Sequence, residues 1–501
     1  MKKLNYLFAL SLLIISFNGI VACTDTDEPE PSEQNNRRYS RNHYYNKNDQ
    51  TNYKNTDQNS TPFLIDGKDY TIHRFVIQNM FYYYLWNEEI PETMYYTDYD
   101  TPYDIFNAAK YKDDRFSSVM SDYTETNQYF DNDYKTDGLS YNLYYDSEIS
   151  TNVIGLIEYV YDNSPAKEAG LKRGMVIKEI NGTTLNKDNY SELINLNSFT
   201  VGYTQAYTTL DENNNPIIKY DGEITTSPTI TKRKMYIDPV LKVSTINSGS
   251  HKIGYFLYES FDQNTSTIIN AISKLKSESI TDLVIDLRLN GGGYVSTLDT
   301  LASMLVPDGN EGNLFIKQES NKNLTEYYQK NNIEDNDYFT HQDTKLNLNK
   351  IYVLVSRNSA SASEELISGL KPYMDVVIIG ENTYGKYTSN ILINDNYDKG
   401  TDDNGIPYSE WALYIVVSKC TNANGEMNFL NGFTPDYKVK DTYISELGSE
   451  TEPLLAKAIS LITENDIITK HNYIYPEFNN KCIGNINGKP NNIKYTLLNN
   501  K

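Results

Sequence analysis

Ile351-Tyr-Val-Leu-Val-Ser-Arg-Asn-Ser-Ala-Ser-Ala-Ser-Glu-Glu-Leu-Ile367 reads as three pieces in succession. The apolar run Ile351–Val355 has the composition of a buried strand, Asn358–Glu364 is a corner of small and polar residues, and Leu366, Ile367 and Leu370 recur at helical spacing. A serine at a strand-to-helix corner is held rigidly and exposed. The first N–H groups of a helix lack intrahelical partners and point at whatever sits there. That arrangement suits Ser361 as a nucleophile whose tetrahedral product carries negative charge. Taken alone the motif is weak, because small-residue runs also cap helices.

Downstream, a second strand over Val376–Ile379 and a glycine-containing loop lead to Thr383-Tyr-Gly-Lys386, with the lysine 25 residues beyond Ser361. A lysine serves as general base only when neutral. Bringing its pKa from about 10.4 to near 7 costs roughly 4–5 kcal/mol at about 1.36 kcal/mol per unit. Burial at a strand end is the means available, although most lysines are solvated.

Working outward, the chain from 238 to 440 alternates strands with helices. Strands are expected at Ile253–Tyr258 and Leu283–Leu287, and helices around Ile268–Leu275 and Val295–Leu305, the latter ended by Pro307. This is the pattern of an α/β domain with crossover connections. Glu452–Thr463 is expected as a closing helix within a C-terminal region 441–501 whose Asn- and Lys-rich end carries no signal. On the N-terminal side, Ile154–Val160, Asn163–Leu171 and Gly174–Gly182 read as strand, short helix, strand and an Asn181-Gly182 tight turn. Helical spacing of Val76, Met80 and Tyr83, and a second stretch around Phe106–Ala109, predicts a small helical domain over 70–136. Residues 24–69 are too polar to bury a core and are expected as a linker.

The first residues read as an export signal. Lys2 and Lys3 precede the apolar stretch Leu4–Phe17, too short for a membrane span. Ile20-Val21-Ala22-Cys23 resembles the bacterial lipobox, which implies removal of 1–22 and acylation of Cys23. Five acidic residues and no basic one follow by Glu33, similar to the export signal of surface lipoproteins in Bacteroidetes-like bacteria. The expectation is a lipid-anchored protein of the bacterial cell envelope, in the outer membrane, on its periplasmic or surface side. Net charge −22 argues against nucleic-acid partners. Cys420 and Cys482 remain as a pair that an oxidising compartment could join. The 45 tyrosines are spread along the chain and mark no site.

Ser-Ala-Ser-Ala-Ser-Glu364, the step to Gly385-Lys386, the upstream Asp286-Leu-Arg-Leu-Asn-Gly-Gly-Gly293, Gly254-Tyr255 with Ser260-Phe261, and Gly432-Phe-Thr-Pro-Asp436 together resemble the C-terminal processing (tail-specific) peptidases of family S41. The resemblance covers about Tyr70 to Thr463. It implies an α/β multidomain fold: a helical N-terminal domain, a PDZ-like β-rich domain over 137–237 and a crotonase/ClpP-like peptidase domain over 238–440. It further implies that Ser361 attacks the peptide carbonyl, that Lys386 takes and returns the proton, and that the N–H groups of Ala362 and Gly292 hold the oxyanion. Glu364 and Asn390 support the pair, Asn390 standing where the family has a longer Gln. Asp286 and Arg288 are expected to brace the Asn290-Gly-Gly turn through an ion pair. Substrates are polypeptides, and no cofactor or metal is required. In the PDZ-like part, Met175 replaces the usual Asp, and Gly138-Leu139-Ser140-Tyr141 is the nearest candidate for a carboxylate loop.

Other readings compete. Gly380–Lys386 has phosphate-loop spacing but is followed by Tyr387, which lacks the Ser/Thr hydroxyl for magnesium. Ser368-Gly-Leu-Lys371 matches a Ser-x-x-Lys pattern inside a helix without its companion motifs. The five histidines form no zinc signature. The principal alternative is an inert lipoprotein that uses the same fold to hold peptides.

Overall fold

The computed structural model describes residues 44–46, 64–121, 133–147, 150–394, 410–464, 480 and 482–486. The signal-peptide and Cys23 lipidation readings lie outside them. The chain packs as two units, one built from Met1–Thr124, Leu314–Asp337 and Lys386–Met427, the other from Glu125–Asn313, Tyr338–Gly385 and Asn428–Lys501.

In the first unit, helix α1 (Thr71–Tyr83) and helix α2 (Pro102–Ala109) follow the helical spacing seen in the sequence. A reciprocal Thr101–Asp104 capping box and Pro102 at the first position start α2. Both helices turn apolar stripes inward, among them Val76, Met80, Ile105 and Phe106. These do not close on one another alone. They share a core with Leu413, Ile415 and Val416 from the long strand Ala412–Asn422. That strand pairs antiparallel with Leu314–Ser320, Thr388–Asn394 and Ser118–Met120. The 70–136 block therefore completes its core with segments some 200 and 300 residues downstream, because two short helices bury too little apolar surface by themselves.

Among the described residues the second unit holds two large sheets besides three two-stranded ones. The first contains β1 (Leu139–Tyr145), β2 (Val153–Val160), β3 (Met175–Ile180) and β4 (Val201–Gln205), in that spatial order, with Thr225–Thr226 beyond β4. Asn181 (φ +52°) and Gly182 (φ +71°) both take left-handed backbone in the hairpin after β3, as a primed two-residue turn requires. The second sheet runs β5 (Val240–Ser248), β6 (His251–Tyr258), β7 (Asp282–Asp286), β8 (Lys350–Val355) and β9 (Asp375–Gly380), with Tyr437–Lys438 at its edge. β5 and β6 are antiparallel and the rest are parallel.

Helices α3 (Thr265–Ser277) and α4 (Val295–Leu305), then α5 (Ala362–Leu370), make the crossovers. A closing helix α6 (Pro453–Ile462) lays Leu454, Leu455 and Ala458 on Tyr255, Val284, Leu354 and Ile379. The parallel strands read as continuous apolar runs because both faces are covered. A strand absent from the sequence reading, β10 (Cys482–Ile486), pairs antiparallel with β1. Its five residues carry one strong β-former pair in a polar tail, too little for periodicity to register.

Candidate active site

Ser361 stands between β8 and α5 with φ +56° and ψ −119°, a conformation that non-glycine residues adopt at a cost of about 1–3 kcal/mol. Such a strand-to-helix corner pushes a side chain out of the backbone path. The small hydroxyl residues around it hold it in place. Ser356 donates to Arg288 O at 2.6 Å, Ser359 to Leu287 O at 2.8 Å and Ser363 to Asn290 O at 3.0 Å, while the Ala360 N–H reaches Asn290 O at 3.1 Å. The Ser/Ala run is thus a set of stitches to the 287–290 backbone. Without that bonding the strain at Ser361 would relax.

The glycine turn facing it is equally specified. Asn290 donates to Tyr258 O at 3.1 Å and accepts the Gly292 N–H at 2.9 Å. Gly292 has φ +102°, and a β-carbon there would lie 2.8 Å from Ser361 Cβ and 3.1 Å from Ala362 N, so only glycine permits this approach. This alters one expectation. The Gly292 N–H, one of the two expected oxyanion donors, is committed to the Asn290 carboxamide. Ala362, at the first position of α5, keeps an N–H with no intrahelical acceptor.

Glu364 is fully buried and spends both oxygens. Oε2 accepts the Ser361 N–H at 3.1 Å, whereas Oε1 accepts the Thr383 hydroxyl at 2.5 Å and the Gly385 N–H at 2.8 Å. One carboxylate therefore ties the serine corner to the residue that immediately precedes Lys386. A β-carbon on Gly385 (φ +90°) would meet Gly432 N at 2.7 Å, so this loop too is closely threaded.

Lys386 begins a segment of the first unit and is half-buried. Its Nζ donates to the Tyr414 hydroxyl at 3.1 Å and lies 5.2 Å from that ring's centre. Sequence reasoning missed Tyr414, which nothing distinguishes among so many tyrosines. Asn390 gives its Nδ2 to Phe116 O at 3.2 Å, and its buried Oδ1 has no partner among the described residues. The shorter side chain thus anchors its own strand to the Phe116 segment.

Behind the glycine turn, the expected Asp286–Arg288 pair is present, with Arg288 Nε 2.9 Å from Asp286 Oδ1. It belongs to a larger buried cage. Arg288 also forks onto Glu452 at 2.7 and 2.9 Å and reaches Asp441 at 2.9 Å, and Arg173 joins Asp441 as well as Glu158 O and Ser445 O. Burial works against charge on Asp441, but Arg173 and Arg288 outweigh it and hold the carboxyl below the usual range.

The remaining sequence candidates resolve plainly. At the start of β1, the Gly138 N–H goes to Thr136 Oγ1 and the Leu139 N–H to Asp137 Oδ1, both at 2.9 Å, so side chains of this chain engage both of these amides. Ser368 bonds Asn428 and Lys371 forms the C-cap of α5, so the Ser-x-x-Lys pattern has no site. Neither Cys420, buried, nor Cys482, exposed, is joined in a disulfide among the described residues.

Comparison with known proteins agrees with this geometry. Residues 252–439 match the model of peptidase family S41, and 71–118 match the peptidase S41 N-terminal domain. A tail-specific protease of Haemophilus influenzae is 28% identical over 174 residues, covering 34% of this chain and 22% of that protein. The carboxy-terminal processing protease CtpA of Bacillus subtilis is 25% identical over 280 residues, covering 55% and 51%. The chain thus spans about half or less of the length of these relatives. A solved S41 protease structure from Bacteroides fragilis superposes with a TM-score of 0.64 at 25% identity, covering 78% of this chain and 97% of that one. With the serine corner and the glycine turn both inside the matched segment, residues 252–439 are a peptidase family S41 segment, and 71–118 are similar to the N-terminal domain of that family.

Proposed function

We propose that the protein is a serine endopeptidase that cuts with Ser361 and Lys386 near the flexible C-terminal ends of exported polypeptides. The observation that carries this reading is the Glu364 carboxylate, which fixes the backbone of Ser361 and of Gly385, the neighbour of Lys386, from one buried position. In the reaction, Ser361 Oγ bonds to the scissile carbonyl carbon as its proton passes to the Lys386 Nζ lone pair. The Ala362 N–H donates a hydrogen bond to the developing oxyanion. The second donor is a glycine amide of the 291–293 turn, through Gly292 when Asn290 releases or shares it. Collapse breaks the C–N bond, and the departing amine leaves with the proton from Lys386. Water then repeats the sequence on the acyl-enzyme. Asn390 acts by fixing the strand that follows Lys386.

The β1–β4 sheet with the short helices Pro165–Glu168 and Tyr190–Leu193 supports a PDZ-like module that adds an extended peptide to its edge. Its Asp137-filled loop suits an internal segment better than a free carboxylate. The N-terminal lipobox-like sequence supports a place in the cell envelope, with an anchor through Cys23.

Purified protein and its Ser361→Ala and Lys386→Ala variants, incubated with a denatured protein mixture, test the assignment by mass-spectrometric mapping of new termini. Both variants should yield none while folding normally, and the active rate should fall on acidification as the amine takes up a proton. An undiminished rate in either variant rejects the Ser–Lys mechanism and leaves a peptide-holding protein.

A further inference from the structure

Strand β1 has β2 on one side and, on the other, the C-terminal strand β10. The pairing is antiparallel, with Cys482 opposite Tyr144, Gly484 opposite Leu143 and Ile486 opposite Tyr141, and an irregularity between Cys482 and Gly484. Upstream of it Asn480 acts as a peg. Its Nδ2 lies 2.8 Å from Tyr145 O, 2.9 Å from Asp146 O and 2.9 Å from the Tyr220 hydroxyl. Ile483 packs, half-buried, on the cluster that contains Tyr141, Leu143 and Tyr190. Without these residues β1 would be an open edge with unpaired N–H and C=O groups, a ready template for another extended chain.

The direction and chemistry of the occupant are informative. β10 runs with its C-terminal end towards Leu139, so a free C-terminus docked in the same sense would put its carboxylate near the 138–139 turn. That place already holds acceptors of this chain. Thr136 and Asp137 have taken the Gly138 and Leu139 N–H groups, and the Asp137 carboxyl is itself buried beside Lys232 at 3.7 Å. An internal segment has no terminal charge to place and meets no such obstacle.

We propose that the β1 edge is a docking edge for internal, extended peptide segments with an apolar side chain at the Ile483 position, and that its resident occupant is the chain's own 480–486 segment. The inference rests on the peptidase reading only in supposing that the displacing segment is substrate. Because the tail is tethered, it competes at high effective concentration, and the apparent affinity for an external peptide is reduced by the fraction of molecules in which the edge is free.

The test separates docking from cleavage by working in the Ser361→Ala background. Binding of a fluorescein-labelled peptide with the sequence of residues 480–487 is measured on the full chain, on a chain ending at 479 and on the full-length Ile483→Asp variant. Hydrogen exchange of the β1 amides is followed in parallel. Truncation and Ile483→Asp should each tighten binding at least tenfold and expose the β1 amides, and added peptide should protect them again. C-terminally amidated and free-acid peptides should bind alike. Equal affinity for the full and truncated chains, or β1 amides unprotected in the full chain, overturns the proposal. A tenfold preference for the free acid overturns the internal-segment claim. Should the truncated chain not fold, the Ile483→Asp comparison decides by the same readings. Failure of the peptidase reading would show instead as cleavage unaffected by Ser361→Ala, with these binding results unchanged.

Discussion

At Lys386 the amine is directed by a residue whose sequence position gives no hint of the role. The Tyr414 hydroxyl takes one N–H and the ring lies within cation–π reach, while Asn390 turns its amide to Phe116. Tyr414→Phe removes the hydroxyl and keeps the ring. The expected outcome is a roughly tenfold lower kcat with KM little changed, and an acid limb of the pH–rate profile displaced to lower pH, since an acceptor that favours the ammonium has been lost. An unaltered profile would make Tyr414 a packing residue. The corner at Ser361 and the loop that leads to Lys386 were legible in the sequence because strand and helix signals already mark them; the roles of nucleophile and base are the proposal made above. Tyr414 was not legible, because its contact depends on which strand lies beside Thr388–Asn394. The engagement of Gly292 by Asn290 was hidden too, since it depends on a side-chain rotamer that no spacing encodes.

Among the elements, the strands of the parallel sheet and the helices α3, α4 and α6 appear where apolar runs and Pro307 put them, since burial on both faces leaves little room for another pattern. The sheet of the first unit escaped the sequence reading. Its strands come from distant segments and gain their apolar face only in one another's company. A pH effect belongs to this sheet. Asp337 is buried and hydrogen-bonded to Gln318 at 2.9 Å, and burial, with Asp335 and Glu334 nearby, pushes its carboxyl up to about 7 from 3.8. A raised folded-state pKa gives stability that is full below the unfolded value and declines as pH rises towards 7. Unfolding of the wild type should therefore become easier between about pH 4 and 7 in this region. Asp337→Asn, which keeps the acceptor for Gln318, should flatten that dependence and stabilise the protein at pH 8. Chemical denaturation followed across that range checks both.

For the molecule as a whole, the chain enters and leaves each unit repeatedly, so neither unit is one continuous stretch. The consecutive blocks expected from helical spacing and strand–helix alternation, such as 70–136 and 238–440, therefore do not coincide with the packed units, because a local pattern does not report a return crossing. The proposed anchor at Cys23 is tested on the full chain as well. Cys23→Ser should move the protein from the membrane fraction of an expressing cell to the soluble fraction, while the specific activity of the purified enzyme stays the same. The buried Arg288 cage carries a consequence for timing. Two of its three carboxylates, Asp441 and Glu452, lie about 150 and 160 residues beyond the arginine they neutralise. A chain growing from its N-terminus has the whole serine corner and glycine turn made long before the counter-ions that brace them exist. The corner therefore gains its full bracing only once Asp441 and Glu452 have joined the chain, and a product that stops short of them keeps the turn without its support.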